Sequence, residues 1–251
     1  MRRLEGRTAL VTGATRGIGR AVALRLAASG ANVAIHGRSA TAAAEVAAEL
    51  AAVGRHGGTL LADLGDRQAV DAFLAEVEAQ LPDLDALVLV AGADVLTGPP
   101  AAWGFERKLD ELIRVDLVST MLLARGIGRR MAVGRGGAIV TIGWDQAATG
   151  MEGDSGELFA AIKGGVMAFT KSLAKSLAPR VRVNCVAPGW IRTAWGTDAS
   201  DAWQRRAVRE SMLGRWGEPG DIAAAVEWLV SPDAAFVTGQ ILPVNGGFRP
   251  A

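Results

Sequence analysis

The chain has 251 residues, of which 50% are hydrophobic and 21% charged, and a formal net charge of +1. This length suits one α/β domain with a large buried core, and the balanced charge argues against nucleic acid or an anionic membrane as a partner. The single cysteine, Cys185, cannot form an internal disulfide and no apolar run is long enough to span a bilayer, so we expect a cytoplasmic protein.

Short β-type segments alternate with longer helical patterns along the chain. Strands are predicted at 8–12, 32–36, 58–62, 85–91, 138–142, 181–186 and 240–244, and helices at 17–29, 41–53, 67–80, 102–131, 158–177 and from 219 onward. This alternation predicts an α/β fold, a Rossmann-type doubly wound seven-stranded parallel sheet with helices on both faces. No linker divides the chain, so we predict one domain over residues 1–251. The segment 194–213 lacks a clear period and is predicted to be an irregular flap over a substrate pocket.

The first predicted strand runs directly into a glycine-rich loop that opens the first predicted helix. The loop reads Thr12-Gly13-Ala14-Thr15-Arg16-Gly17-Ile18-Gly19. Glycines at such a turn let a pyrophosphate approach backbone N–H groups at the helix N-terminus. A glycine-rich loop alone is a weak indication, because ordinary turns also use glycine. The strand–turn–helix setting makes dinucleotide binding the better interpretation.

The end of the second predicted strand indicates which dinucleotide is bound. An acidic residue there binds the ribose hydroxyls of NAD, whereas this chain has Gly37 followed by Arg38. Arg16 in the glycine-rich loop can reach the same corner. Two guanidinium groups favour a 2′-phosphate and therefore predict NADP(H) as the cofactor. The alternative is that both arginines are solvated surface residues.

With these features, the chain resembles the short-chain dehydrogenase/reductase superfamily, in general form its 3-oxoacyl-ACP reductase-like members. The resemblance covers nearly the whole chain. The motifs that carry it are the Thr12–Gly19 loop, Asp63-Leu64, Ala91-Gly92, Lys163, Pro188-Gly189 with Thr193, the stretch 213–219, and Thr238-Gly239-Gln240 with Asn245-Gly246-Gly247.

The resemblance implies a set of cofactor contacts. Asp63 and Leu64 would contact the adenine, and Ala91 with Gly92 would pass beneath the adenosine ribose. Lys163 would bind the nicotinamide ribose hydroxyls. The carboxamide would be held by the segment from Pro188 through Gly189 and Ile191 to Thr193. The family usually assembles as tetramers through its two long central helices, so a homotetramer is expected; no metal site is predicted.

The resemblance fails at the residues that carry the family's reaction. In the family a tyrosine protonates the substrate carbonyl, a serine hydrogen-bonds it, a lysine lowers the pKa of the tyrosine, and an asparagine anchors a water relay. Here Phe159 takes the tyrosine position, Trp144 the serine position and Asp116 the asparagine position, while Lys163 is retained. The chain contains no tyrosine, so no shift of the alignment restores the missing acid.

Three interpretations of this altered set stay open. General acid catalysis contributes roughly 10² to 10⁴ in rate, so ketone reduction by the family mechanism is disfavoured. An oxidoreductase could take its proton from a carboxyl group in the loop before Phe159 (Asp145, Asp154 or Glu157), or reduce an iminium, which needs none. Alternatively, the protein is a cofactor-binding homologue without turnover, or a non-redox enzyme on the same fold.

The tryptophans bear on the substrate. Those expected around the nicotinamide end are Trp144, Trp190, Trp195 and Trp203, whereas those expected in the core are Trp103, Trp216 and Trp228. The first set predicts a dry aromatic pocket for a flat or cationic small molecule. The competing prediction is a pocket closed by those rings.

Overall fold

The computed structural model of the protein describes residues 3–249. One sheet of seven parallel strands has the order β3-β2-β1-β4-β5-β6-β7. The strands are β1 (Thr8–Thr12), β2 (Asn32–Gly37), β3 (His56–Leu61), β4 (Ala86–Leu89), β5 (Gly137–Ile142), β6 (Val181–Pro188) and β7 (Ile241–Val244). The chain direction across the sheet reverses between β1 and β4, and such a switch point opens a crevice at the carboxyl ends of the strands. The predicted doubly wound sheet is confirmed.

Helices cover both faces of this sheet. They are α1 (Gly17–Ala28), α2 (Ala40–Ala52), α3 (Arg67–Gln80), α4 (Phe105–Leu112), α5 (Ser119–Val133), α6 (Asp154–Leu177), α7 (Ala194–Asp198), α8 (Asp201–Glu210) and α9 (Pro219–Val230). In β1, Leu10 is buried in one core cluster while its neighbour Val11 is buried in the other. Successive strand residues point to opposite faces, so a strand between two helical layers must be apolar on both sides.

The segment predicted as one helix over 102–131 is interrupted. After α4 the backbone forms a π-helical stretch, Ile113–Val118, before α5 begins at Ser119. This stretch contains Asp116, which is buried. π-Helical turns inside helices are frequent at functional sites, because the extra residue re-aims a side chain.

The prediction of an irregular segment over 194–213 is wrong in its local structure. Most of that segment is helical and forms α7 and α8. The segment is mostly polar, yet α8 buries one face that contains Trp203, Ala207 and Glu210 at helical spacing. Among residues 3–249 no helix is both long and apolar enough to cross a membrane.

Candidate cofactor and active site

The glycine-rich loop between β1 and α1 packs too tightly for side chains at two of its glycines. Gly13 has φ +64°, and a Cβ there would lie 2.8 Å from the Cα of Ala91. A Cβ on Gly19 would collide with the carbonyl oxygen of Gly13. The loop therefore packs closely against the start of α1 and against Ala91, and no side chain projects from Gly13 or Gly19. This is a cradle that a pyrophosphate could enter.

Two polar side chains that sequence reasoning missed hold this loop. The Thr12 hydroxyl accepts hydrogen bonds from the N–H groups of Val90 (3.1 Å) and Ala91 (3.2 Å), which joins the loop after β1 to the loop after β4. His36 Nδ1 accepts the Gly13 N–H at 3.2 Å, and its Nε2 lies 3.1 Å from the carbonyl oxygen of Ala62. Burial lowers the pKa of His36, so the ring is neutral and Nε2 carries the proton.

The corner expected to bind a 2′-phosphate holds both predicted arginines, and it also holds a carboxylate. Arg38 is exposed just after β2, and Thr15 packs against Gly37. Arg16 Nη2, however, lies 3.5 Å from Asp94 Oδ2. That neighbour was not predicted, because Asp94 is far from the loop in sequence. Arg16 is 61% exposed, so water screens this ion pair and leaves the arginine available to a phosphate.

The residues expected to contact the adenine and its ribose lie at the same edge of the sheet. Asp63 is exposed after β3 and its Oδ1 accepts the Gly65 N–H at 3.0 Å. The Leu64 side chain is buried in the core, so only its backbone can reach a ligand. Ala91 and Gly92 follow β4 after Val90. These positions fit the adenosine half of a dinucleotide.

The residues expected to hold the carboxamide follow β6. Thr193 approaches the start of α1 closely, since a Cβ on Gly17 would lie 3.7 Å from its Cγ2. Ile18 packs against the core beneath that contact, where Ile191 is also buried. Pro188 is the last residue of β6. Gly189 lies against Asn245, because a Cβ on Gly189 would lie 2.6 Å from the Asn245 Cβ. The segment that follows β6 therefore lies close to the glycine-rich loop at the start of α1.

Lys163 is not a free cation. Its Nζ lies 2.8 Å from Asp116 Oδ1, and the two side chains are only 13% and 2% exposed. Asp116 Oδ2 accepts the Ala93 N–H at 2.7 Å. The predicted catalytic residues Lys163 and Asp116 are therefore brought together as a buried ion pair beside the loop that follows β4.

Trp144 lies in the loop between β5 and α6, and Phe159 lies in the second turn of α6. The Phe159 ring packs against a small apolar cluster of Val95, Leu112, Leu158 and Ile162. Trp144 follows β5 after Gly143 and is partly buried. Neither side chain can transfer a proton to a substrate oxygen where the family places its hydroxyls. The phenyl ring has no ionisable group, and an indole N–H does not ionise near neutral pH.

Asp145 is the predicted carboxyl group whose surroundings alter its chemistry. Its Oδ2 accepts a hydrogen bond from Asn245 Nδ2 at 2.9 Å, while its Oδ1 is buried without a partner. Burial raises the pKa of Asp145 from 3.8 to about 6, and the hydrogen bond from Asn245 only partly opposes that shift. The other carboxyl groups predicted for this loop, Asp154 and Glu157, lie instead in the first turn of α6 and are exposed. Asp145 thus lies between the carboxyl ends of β5, β6 and β7 with a proton affinity suited to neutral pH.

Four tryptophans form one cluster around α7 and α8. Trp190 lies 5.9 Å from Trp195, 5.3 Å from Trp203 and 6.3 Å from Trp216 between ring centroids. The Arg206 guanidinium lies 4.9 Å from the Trp203 ring. Trp216 is buried as predicted, whereas Trp144 takes no part in these ring pairs. The cation that this cluster binds is the chain's own arginine, so these rings do not by themselves indicate a cationic substrate.

The cluster is anchored by a buried carboxylate. Glu210 at the end of α8 is 2% exposed and accepts hydrogen bonds from Trp190 Nε1 at 2.8 Å and Arg206 Nε at 2.7 Å. A cavity of about 120 Å³ adjoins this region, lined by residues that include Ile191, Ser211 and Asn245. No tryptophan lines it. The rings of the cluster pack on one another rather than on this cavity.

Comparison with known proteins decides the family. A family model described as enoyl-(acyl carrier protein) reductase matches residues 13–249. The chain is 37% identical over 252 residues to the 3-oxoacyl-[acyl-carrier-protein] reductase of Aquifex aeolicus, covering 98% of both chains. The protein belongs to the short-chain dehydrogenase/reductase superfamily. The relatives compared with this chain are named as oxidoreductases, and the family match covers residues 13–249.

Solved structures of superfamily members show that this fold accepts both nicotinamide cofactors. A 3-oxoacyl (acyl-carrier-protein) reductase from Agrobacterium tumefaciens with NADP bound has a TM-score of 0.87 and 30% identity, covering 98% of this chain and 95% of that one. A 7α-hydroxysteroid dehydrogenase complexed with NADH has a TM-score of 0.88 and 29% identity, with the same coverages. Members of the superfamily thus bind either NADP or NADH, so the family alone does not select between the two cofactors.

Proposed function

We propose that this superfamily member is an NADP(H)-dependent oxidoreductase with a non-standard active site, in which Asp145 replaces the missing hydroxyl as the proton donor. The observation that carries the proposal is the buried, unpartnered Oδ1 of Asp145 together with its raised pKa of about 6. A carboxyl group with such a pKa is partly protonated near neutral pH and can give its proton to a substrate.

The cofactor-binding residues support NADP(H). Glycines 13 and 19 place no side chain over the helix N-terminus, and no carboxylate follows β2 to bind the 2′-hydroxyl of NAD. Arg16 and Arg38 are exposed at that corner and would hold the 2′-phosphate. A bound nicotinamide supplies or accepts a hydride. Lys163, held by Asp116, would bind the nicotinamide ribose through its remaining N–H groups.

The proton transfer is tested by turnover. We expect wild-type NADPH oxidation on a panel of ketones and imines to decline above about pH 6 as Asp145 loses its proton. Asp145→Asn should reduce ketone turnover by roughly 10²-fold or more. The matched control is Asp154→Asn at the exposed start of α6, which should retain activity. Unchanged ketone turnover in Asp145→Asn would exclude Asp145 as the donor.

A cofactor-binding homologue without turnover is the second candidate function. The observation in its favour is the packing of Phe159 and of the four-tryptophan cluster, which leaves apolar rings where a reactive pocket is expected. Tight NADPH binding without hydride transfer to any substrate of the panel would favour this function. Failure to bind NADPH would exclude both candidates.

We further propose that the protein is a homotetramer built on α5 and α6. Val118 and Met121, three residues apart, are 38% and 36% exposed at the end of the π-helical stretch and the start of α5. This adjacent apolar pair supports an interface on α5, and α6 enters the proposal through the usual assembly of the family. Sedimentation of the purified protein measures the oligomeric state directly, and a monomer at micromolar concentration would contradict this proposal.

A further inference from the structure

We infer that Asp116 is a positioning residue whose carboxylate cancels the charge of the Lys163 ammonium beside residue 159. The active site then contains a neutral ion pair in place of an isolated cation. This inference deepens the proposed function and rests on it in one respect, the placement of Phe159 and Lys163 in the active site.

The ion pair has the contacts of a specifically held group. Asp116 uses Oδ1 for Lys163 Nζ at 2.8 Å and Oδ2 for the Ala93 N–H at 2.7 Å. Both carboxylate oxygens are therefore partnered, and the side chain is 2% exposed. Gly92 permits this approach, since a Cβ there would lie 2.9 Å from Asp116 Oδ1. Two opposite charges this close and this well shielded from water stay paired.

Residue 159 adjoins the pair. Phe159 and Lys163 are four residues apart on α6, a spacing that places two side chains on the same face of a helix. The apolar cluster that holds the Phe159 ring also contacts the side chain of Ala93, the residue whose N–H binds Asp116. Position 159 and the ion pair thus share one corner with apolar walls.

The charge balance of this corner determines what it can do. An isolated ammonium near a hydroxyl lowers the pKa of that hydroxyl, because it stabilises the deprotonated form. A neutral Lys163–Asp116 pair gives little such help. The Cys185 thiol on β6 also lies within electrostatic reach of Lys163, and burial raises the pKa of this thiol to about 11, so it is uncharged at neutral pH. The corner is therefore not built to acidify a hydroxyl at residue 159, which agrees with a proton supplied from Asp145 instead.

The absence of tyrosine from the chain allows a direct test. Phe159→Tyr introduces the only phenol, so tyrosinate absorption during a pH titration reports that group alone. We expect the phenol of Phe159→Tyr to titrate at or above the ordinary value of about 10. Adding Asp116→Asn should lower that pKa by at least about one pH unit, because it leaves the ammonium unpaired. Adding Lys163→Met instead should raise it, and combining all three changes should return it close to the Phe159→Tyr value.

Two results would overturn the inference. One is a phenol that titrates a unit or more below about 10 in Phe159→Tyr alone, since the ammonium would then not be cancelled. The other is an unchanged pKa after Asp116→Asn in a protein that keeps its circular dichroism. If the Asp116→Asn protein does not fold, the Lys163→Met variant decides, because an unchanged pKa there contradicts the same charge balance. The titration needs no turnover, so its outcome is independent of whether the protein transfers a hydride.

Discussion

Replacing Asp145 by asparagine should change how stability depends on pH. The folded-state pKa of Asp145 is about 6 against an ordinary value of 3.8, a difference of about two pH units. Each unit corresponds to about 1.4 kcal/mol, so the ionised carboxylate destabilises the folded protein by at most about 3 kcal/mol. Partial exposure of the residue to solvent reduces this to about 1–3 kcal/mol. The asparagine carries no charge and is free of that cost.

The direction of this change in stability follows from proton binding. Because the folded pKa is raised, the folded protein holds the Asp145 proton more tightly than the unfolded chain does. The wild-type free energy of unfolding therefore loses this contribution as pH rises from about 3.8 to about 6, and the loss is complete above pH 6. Relative to wild type, Asp145→Asn should be about 1–3 kcal/mol more stable at pH 8 than it is at pH 4.

Urea unfolding followed by tryptophan fluorescence measures this difference at a fixed protein concentration. A constant offset between the two proteins would reflect the new amide group, so the comparison uses only the change in offset with pH. Asp154→Asn, at the exposed start of α6, serves as the control and should show no such change. A difference in unfolding free energy between Asp145→Asn and wild type that does not change with pH would mean that the carboxyl titrates normally. That result would argue against Asp145 as the proton donor.

The remaining predictions concern the cofactor site. His36→Phe should destabilise the fold by about 1–3 kcal/mol in urea unfolding, because the Gly13 N–H loses its acceptor; His36→Asn, which keeps an acceptor, should cost less. Since burial lowers the pKa of His36 below 6.5, wild-type stability should also fall as pH drops below about 6.5, and His36→Phe should lack that component. Gly19→Ala should abolish NADPH binding in calorimetry, whereas Gly220→Ala, with open space at its Cβ, should bind normally; equal binding by both variants would contradict the cradle. Arg38→Asp should weaken NADPH binding at least about tenfold while sparing NADH, because it repels the 2′-phosphate; an equal loss for both cofactors would argue against NADP(H) selectivity.

Much of the fold could be predicted because short-range sequence patterns specify its strands and most of its helices. The strands of a parallel sheet covered on both faces are short apolar runs, and the helices between them carry their own period. The glycine-rich loop was equally readable, since Gly13 and Gly19 meet a steric demand of the loop itself. The π-helical stretch around Asp116 and the helices α7 and α8 were not predicted. On the buried face of α8, Trp203 and Glu210 both contact Trp190, which lies outside that helix.

The same distinction between local sequence and tertiary structure applies to the active site. The sequence by itself determined which groups are present: Lys163 is retained, no tyrosine exists anywhere, and phenylalanine precedes Lys163 by one helical turn. Only the tertiary structure decided what those groups meet. It paired Lys163 with Asp116, placed Asp94 beside Arg16, and left one oxygen of Asp145 buried without a partner. These charges interact through space across elements far apart in the chain, and the burial that sets their strength depends on packing that no local pattern records.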